Sequence, residues 1–186
     1  MDQRGQQWSN STANQDSGVT FNLPGWTGQP ESAAHERAFQ MFRGNCPTRL
    51  DEKGRLKMPA DFKHEIDRNY DGQFYITSLN GAVIKLYPLK EWELFEQKIL
   101  SQSNSHRALE KFSDVTSYYG QAVEMDSQGR LTIAEWLRNK FGLKGEVAVI
   151  GKLNHLEVRV MEDFSKAVEA NPLTPEDLDE LLRTRN

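Results

Sequence analysis

Cysteine is all but missing from this chain: Cys46 stands alone among 186 residues. That excludes an intramolecular disulfide and agrees with a reducing compartment. Cys46 lies beside Pro47 at the start of a strand with no histidine near it in sequence, so it reads as a packing residue rather than an activated thiol. Long apolar runs are absent as well. No stretch approaches the ~18 residues of a membrane helix, and the polar opening from Met1 to Asn10 lacks the apolar core of a signal peptide. The expectation is a cytoplasmic protein with no membrane partner. His35, His64, His106 and His155 are scattered without zinc spacing. Neither a Gly-rich phosphate loop nor a Gly-x-Ser-x-Gly elbow occurs. Asp51 and Asp126 are the one symmetric carboxylate pair, and both stand in turns that use an Asp for geometry. The chain is therefore expected to be no enzyme, with no catalytic residue, metal site, cofactor or small-molecule substrate. An excess of positive charge is missing too, since the net charge is −4, which at first argues against nucleic acid.

What is present is a pentad that occurs twice, Asp51-Glu52-Lys53-Gly54-Arg55 and Asp126-Ser127-Gln128-Gly129-Arg130. Before it, Thr48 and Leu50 occupy the places of Val123 and Met125. After it, Arg55-Leu56-Lys57-Met58 and Arg130-Leu131-Thr132-Ile133 are apolar at every second place, the period of a half-buried strand. Each copy reads strand, tight turn, strand. Gly54 and Gly129 supply a positive φ, and Asp51 and Asp126 bond turn amides as Asx turns do. Turn chemistry does not require an Arg at the first place beyond each bend.

The match continues through a short helix (Pro59 to Asp67, Ile133 to Phe141), an apolar strand (Phe74 to Leu79, Val147 to Ile150) and a further strand (Val83 to Tyr87, Leu156 to Val160). An amphipathic helix beginning near Leu89 or Glu162 completes each copy, with Trp92 and Phe164 at equivalent places. An internal duplication is the economical reading. Residues 1–40 are rich in Gln, Ser, Asn, Thr and Gly without period and read as a disordered extension. The rest divides into a first half-domain over 41–101, a connecting helix over 102–120, a second half-domain over 121–170 and a C-terminal helix or tail over 171–186. Thr174 is the expected N-cap of that last helix, with Pro175, Glu176 and Asp177 in its first turn. Leu178, Leu181 and Leu182 form its apolar face. The stripes Trp92, Phe95, Ile99 and Phe112, Val115, Tyr119 read as core or subunit interface.

Charge is unevenly spread. From Met41 to Lys57 the cations Arg43, Arg49, Lys53, Arg55 and Lys57 face only Asp51 and Glu52. A basic face on an acidic body can still engage phosphates, because screening confines the interaction to roughly 8 to 10 Å. Arg is shaped to bond a guanine edge through two donors, whereas Lys is mainly a point charge for phosphate. Arg55 is thus a candidate for base readout or a phosphate clamp, and Arg43, Lys53 and Lys57 for positioning. From the residues alone, an ion pair of Arg55 with Asp51 is an equal reading. Arg130 carries the same two readings, with the neutral Ser127, Gln128 and Thr132 around it.

The words Met41-Phe42-Arg43-Gly44, Leu50-Asp51-Glu52-Lys53-Gly54-Arg55-Leu56 and Leu86-Tyr87-Pro88-Leu89-Lys90-Glu91-Trp92 resemble those of the MraZ family, bacterial proteins with two SpoVT/AbrB-like half-domains. The resemblance runs from Met41 to about Ala170. It implies an α+β fold with a mainly β core, a swapped-hairpin AbrB-like β-barrel formed by the two tandem half-domains, with flanking amphipathic helices. It also implies ring oligomers, binding of double-stranded promoter DNA through residues such as Arg55 and Arg130, a nucleoid-associated location, and regulation of the division and cell-wall gene cluster, with repression as the default. The chain departs from the pattern in the forty residues before Met41, in Ala134 where Pro59 stands in the first copy, and in having only Arg107 and Lys111 as cations from Arg107 to Tyr119. Ala134 is expected to set its helix start less rigidly than Pro59. An antitoxin-like protein, binding DNA while a tail around Trp8 to Trp26 neutralises a partner, is the alternative.

Overall fold

A computed structural model describes residues 41–183; the expectations placed on residues 1–40 lie outside the described residues. The first repeat runs β1 (Asn45–Arg49), β2 (Arg55–Lys57), α1 (Ala60–Asn69), β3 (Gln73–Thr77), β4 (Ile84–Pro88) and α2 (Leu89–Gln102). Helix α3 (His106–Tyr118) leads to the second, which runs β5 (Gln121–Glu124), β6 (Arg130–Thr132), α4 (Glu135–Lys140), β7 (Glu146–Lys152), β8 (His155–Val160) and α5 (Met161–Ala170). Helix α6 (Pro175–Leu182) follows. No helix among the described residues is long and apolar enough to cross a membrane.

The strands form an antiparallel six-stranded sheet in the order β1-β7-β8-β4-β3-β5 and a separate two-stranded ribbon of β2 and β6. Each repeat therefore lends its first strand to the other: β1 pairs with β7, and β5 with β3. The closed barrel is corrected by this pairing, because the sheet ends at β1 and β5. The reason is length. β2 and β6 are three residues each and pair with one another, and they meet the edge strands through side-chain bonds, Thr48 Oγ1 to the Lys57 carbonyl at 2.9 Å and Gln121 Nε2 to the Thr132 carbonyl at 3.2 Å, rather than through a continuous ladder.

Period-2 alternation sorts the sheet into two covered faces. Phe74, Ile76, Ile84, Leu86, Val147, Val149, Leu156 and Val158 join Leu56, Met58 and Leu131 of the ribbon and Phe62, Ile66 and Leu137 of α1 and α4 in one buried cluster. Burial of each such side chain contributes roughly 1.5–3 kcal/mol. On the other face Trp92 of α2 stacks on Tyr75 with ring centroids 4.8 Å apart, and Phe112 of α3 stacks on Trp92 at 6.0 Å. Of the two stripes Trp92 is buried, while Phe95, Ile99, Phe112, Val115 and Tyr119 are half-buried. The Thr77 hydroxyl donates to the Thr116 carbonyl at 2.9 Å, which ties α3 to the same face.

Ala134 adopts the backbone of its counterpart. Its φ and ψ of −54° and 142° match the −57° and 146° of Pro59, so the two helix starts share one geometry. A proline ring is not needed there because the Ala134 N–H donates to Oε1 of Gln121 at 3.0 Å.

A local two-fold axis relates the repeats, and at two places equivalent residues meet across it. Leu56 pairs with Leu131 in the ribbon. In the sheet Lys85 pairs with Glu157, and the matching registers Phe74↔Pro88 and Val147↔Val160 give these two the same place in their repeats. The Lys85 Nζ donates to Oε1 of Glu157 at 2.8 Å and contacts Nε2 of His155 at 2.8 Å. Arg159 Nη2 donates to the other Glu157 oxygen at 2.8 Å. Burial works against the Glu157 carboxylate, yet the bonds from Lys85 and Arg159 outweigh it and hold its pKa below the ordinary value.

Candidate nucleic-acid interface

The two pentads fold into near-copies of one turn. In the first, the Gly54 N–H donates to the Asp51 carbonyl at 2.9 Å, and the Asp51 N–H donates to the Arg55 carbonyl at 3.1 Å. In the second, the Gly129 and Asp126 amides make the same bonds at 2.8 and 2.9 Å. Gly54 and Gly129 have φ of +76° and +72°, a region that side chains with a Cβ rarely enter. One carboxylate oxygen of each Asp accepts the backbone N–H of the Arg four residues on, at 2.9 Å in both turns. The other accepts the Arg Nε, at 2.6 Å for Arg55 and 2.8 Å for Arg130.

The ion-pair reading is thus realised at both arginines, with a consequence for their availability. Arg55 and Arg130 are each held through the backbone N–H and Nε, and Arg130 Nη2 also lies 2.8 Å from Asp126. Both guanidiniums are partly exposed. The Arg55 backbone N–H, and then its guanidinium, hold the Asp51 carboxyl below the usual range; for Asp126 the Arg130 guanidinium leads and the backbone amides of Arg130 and Gln128 add to it.

The ribbon joins the turns into one unit. The Met58 N–H donates to the Gly129 carbonyl and the Ile133 N–H to the Gly54 carbonyl, each at 2.9 Å. Lys57 stands opposite Arg130 in the ribbon, and its ammonium donates to the Gln128 carbonyl of the second turn. Lys53 is exposed in the first turn. Arg43 is not brought to this place: it precedes β1 at the end remote from the turn, beside the β7–β8 connection, where Phe42 bridges Leu153. Arg49 forms an exposed pair with Glu146 at 2.8 Å.

Two further cations border the turns. A Cβ built on Gly54 would stand 2.5 Å from Nε of Arg138, and one on Gly129 would stand 2.9 Å from Cδ and Cε of Lys63. Sequence reasoning passed over both, although they sit at the same place in the two repeats and both are cationic. Arg138 Nε also donates to the Ile133 carbonyl at 3.1 Å, and the Lys63 ammonium pairs with Asp67 on α1. No group of three or more metal-ligating side chains occurs among the described residues.

The family model described as "MraZ protein, putative antitoxin-like" matches residues 41–114 and 120–183. A protein of Acidobacterium capsulatum named Transcriptional regulator MraZ is 53% identical over 137 residues, which is 74% of this chain and 94% of that relative. Proteins of the same name from Koribacter versatilis and Serratia proteamaculans are 51% and 34% identical, covering 74% and 77% of this chain and 94% and 97% of their own lengths. With both repeats matched and the relatives covered almost end to end, the chain belongs to the MraZ family.

Proposed function

We propose that this chain is a transcriptional regulator that binds double-stranded promoter DNA through the β2–β6 ribbon and its two turns. The observation that carries the proposal is the pair of Asp-oriented arginines set at two turns of one hydrogen-bonded unit. An ion pair with a neighbouring carboxylate does not withdraw Arg55 from a ligand: Asp51 fixes the guanidinium by its Nε and leaves the outer nitrogens for a guanine edge or a phosphate. Such fixing lowers the ordering cost on binding. The names of the relatives support a regulatory role.

One face of this size offers few base contacts, so a ring of subunits over repeated sites would raise affinity through effective concentration. In this reading the two repeats, with their first strands exchanged, act as one swapped unit, the ring occupies promoter repeats in the nucleoid, and it represses the division and cell-wall gene cluster. The test is fluorescence anisotropy of the gene's own upstream promoter with wild type, Arg55→Ala and Arg130→Ala across a salt series. Arg55→Ala is expected to weaken specific binding by about 10- to 100-fold, and the Arg130→Ala variant reports whether the second turn touches DNA as well. A folded wild type that binds no promoter DNA at low salt refutes the proposal and favours the antitoxin-like reading.

A further inference from the structure

The sequence places its surplus of cations in the first repeat, which leaves Arg130 in a neutral setting. The fold redistributes them. Lys57 lies across the ribbon from Arg130 and bonds the second turn, while the stem of Lys63, from α1 of the first repeat, lies against Gly129. In return Arg138, from α4 of the second repeat, lays its guanidinium on Gly54 of the first turn. The first turn is thus bordered by Lys53, Arg55 and Arg138, and the second by Lys57, Lys63 and Arg130.

We infer that each turn is the centre of a composite anion site built from both repeats, in which Lys63 and Arg138 contact DNA backbone phosphate. The inference rests on the DNA-binding reading above and deepens it: neither repeat carries a complete site alone. Three features support it. Lys63 and Arg138 occupy the same place in the two repeats and both are cationic, so the arrangement is made twice. Each approaches a glycine, where the missing side chain lets a cation lie close to the turn backbone. The same two turns present Arg55 and Arg130, so a phosphate held beside the turn is within the reach of a base-reading arginine. Asp67 holds the Lys63 ammonium in the free protein and would give way to the phosphate, which makes Asp67 a modulator of the second site.

Lys63→Met keeps the stem that packs on Gly129 and removes the charge, whereas Arg138→Gln replaces the guanidinium that lies on Gly54 with a shorter neutral amide. With the promoter probe, each is expected to weaken binding several-fold for specific and nonspecific duplexes alike and to reduce the salt slope by about 1. Thermal melting in the absence of DNA separates this from a packing role, which would lower stability and leave the slope untouched. Lys63→Met is further expected to couple with Arg130→Ala and to be additive with Arg55→Ala. Asp67→Asn, an exposed change that frees Lys63, is expected to tighten binding. Unchanged salt slopes in Lys63→Met and Arg138→Gln, with wild type binding normally, overturn the composite site and leave the DNA-binding reading standing. A wild type that does not bind overturns both.

Discussion

His155 is held neutral by its neighbours. The Lys85 ammonium needs the lone pair on Nε2, and Nδ1 faces the Asn154 side-chain oxygen at 3.0 Å, so the proton belongs on Nδ1. Burial, and then the charge of Lys85, lowers its pKa from 6.5 to about 4, against a smaller opposing pull from Glu157 and with Lys152 adding to the depression. Between these two values the unfolded chain binds a proton that the folded chain refuses. Stability is therefore full above pH 6.5 and is lost as pH falls toward 4. Urea unfolding at pH 7.5 and pH 5 is expected to show a loss of about 1–2 kcal/mol that His155→Asn abolishes; a wild type with equal stability at both values contradicts the neutral assignment. At the turns, sequence reasoning offered Arg55 an ion pair or a ligand as alternatives. The ion pair is the one formed, and on the proposed reading it orients the guanidinium for DNA, a combination that no spacing rule expresses.

Elements formed by local chemistry were legible before the fold. The alternation around Leu56 and Leu131, the turn glycines and the N-cap at Thr174 are all present, and Asp177 completes a capping box by accepting the Thr174 N–H at 2.9 Å. What was not legible depends on partners far away in sequence. Nothing in β1 says that it pairs with β7, and the helix beginning at Glu135 ends after six residues although its counterpart runs for ten. Arg138 and Lys63 escaped notice for the same reason, because each serves the turn of the other repeat. Helix α6 shows the opposite extreme, a segment secured mainly by its own cap. Leu181 and Leu182 are 74% and 78% exposed. Thr174→Ala is expected to cost about 1 kcal/mol locally and to speed amide exchange over Pro175–Leu182, with the melting of the sheet unchanged. A drop in global stability would mean that α6 is coupled to the core.

At the scale of the whole molecule, the duplication sets equivalent residues against each other at the two-fold axis. Leucine tolerates its own kind there, as Leu56 and Leu131 do. A charge does not, and Glu157 is only 5% exposed. Glu157→Lys would place two ammonium groups together and is expected to destabilise the fold by about 3–5 kcal/mol. Adding Lys85→Glu should recover part of that loss, incompletely because Arg159 and His155 are tuned to a carboxylate on β8. Denaturant titration of the two single variants and the double variant gives the coupling, and a double variant no better than Glu157→Lys would mean that the axis does not select opposite charge. The same pairing also discriminates against a wrong partner. On one messenger RNA many chains emerge first repeat foremost, each with strands ready to accept the hairpin of a neighbour. Two first repeats joined in that way would bring Lys85 against Lys85, a like-charge contact that disfavours the mispaired dimer relative to the chain's own second repeat.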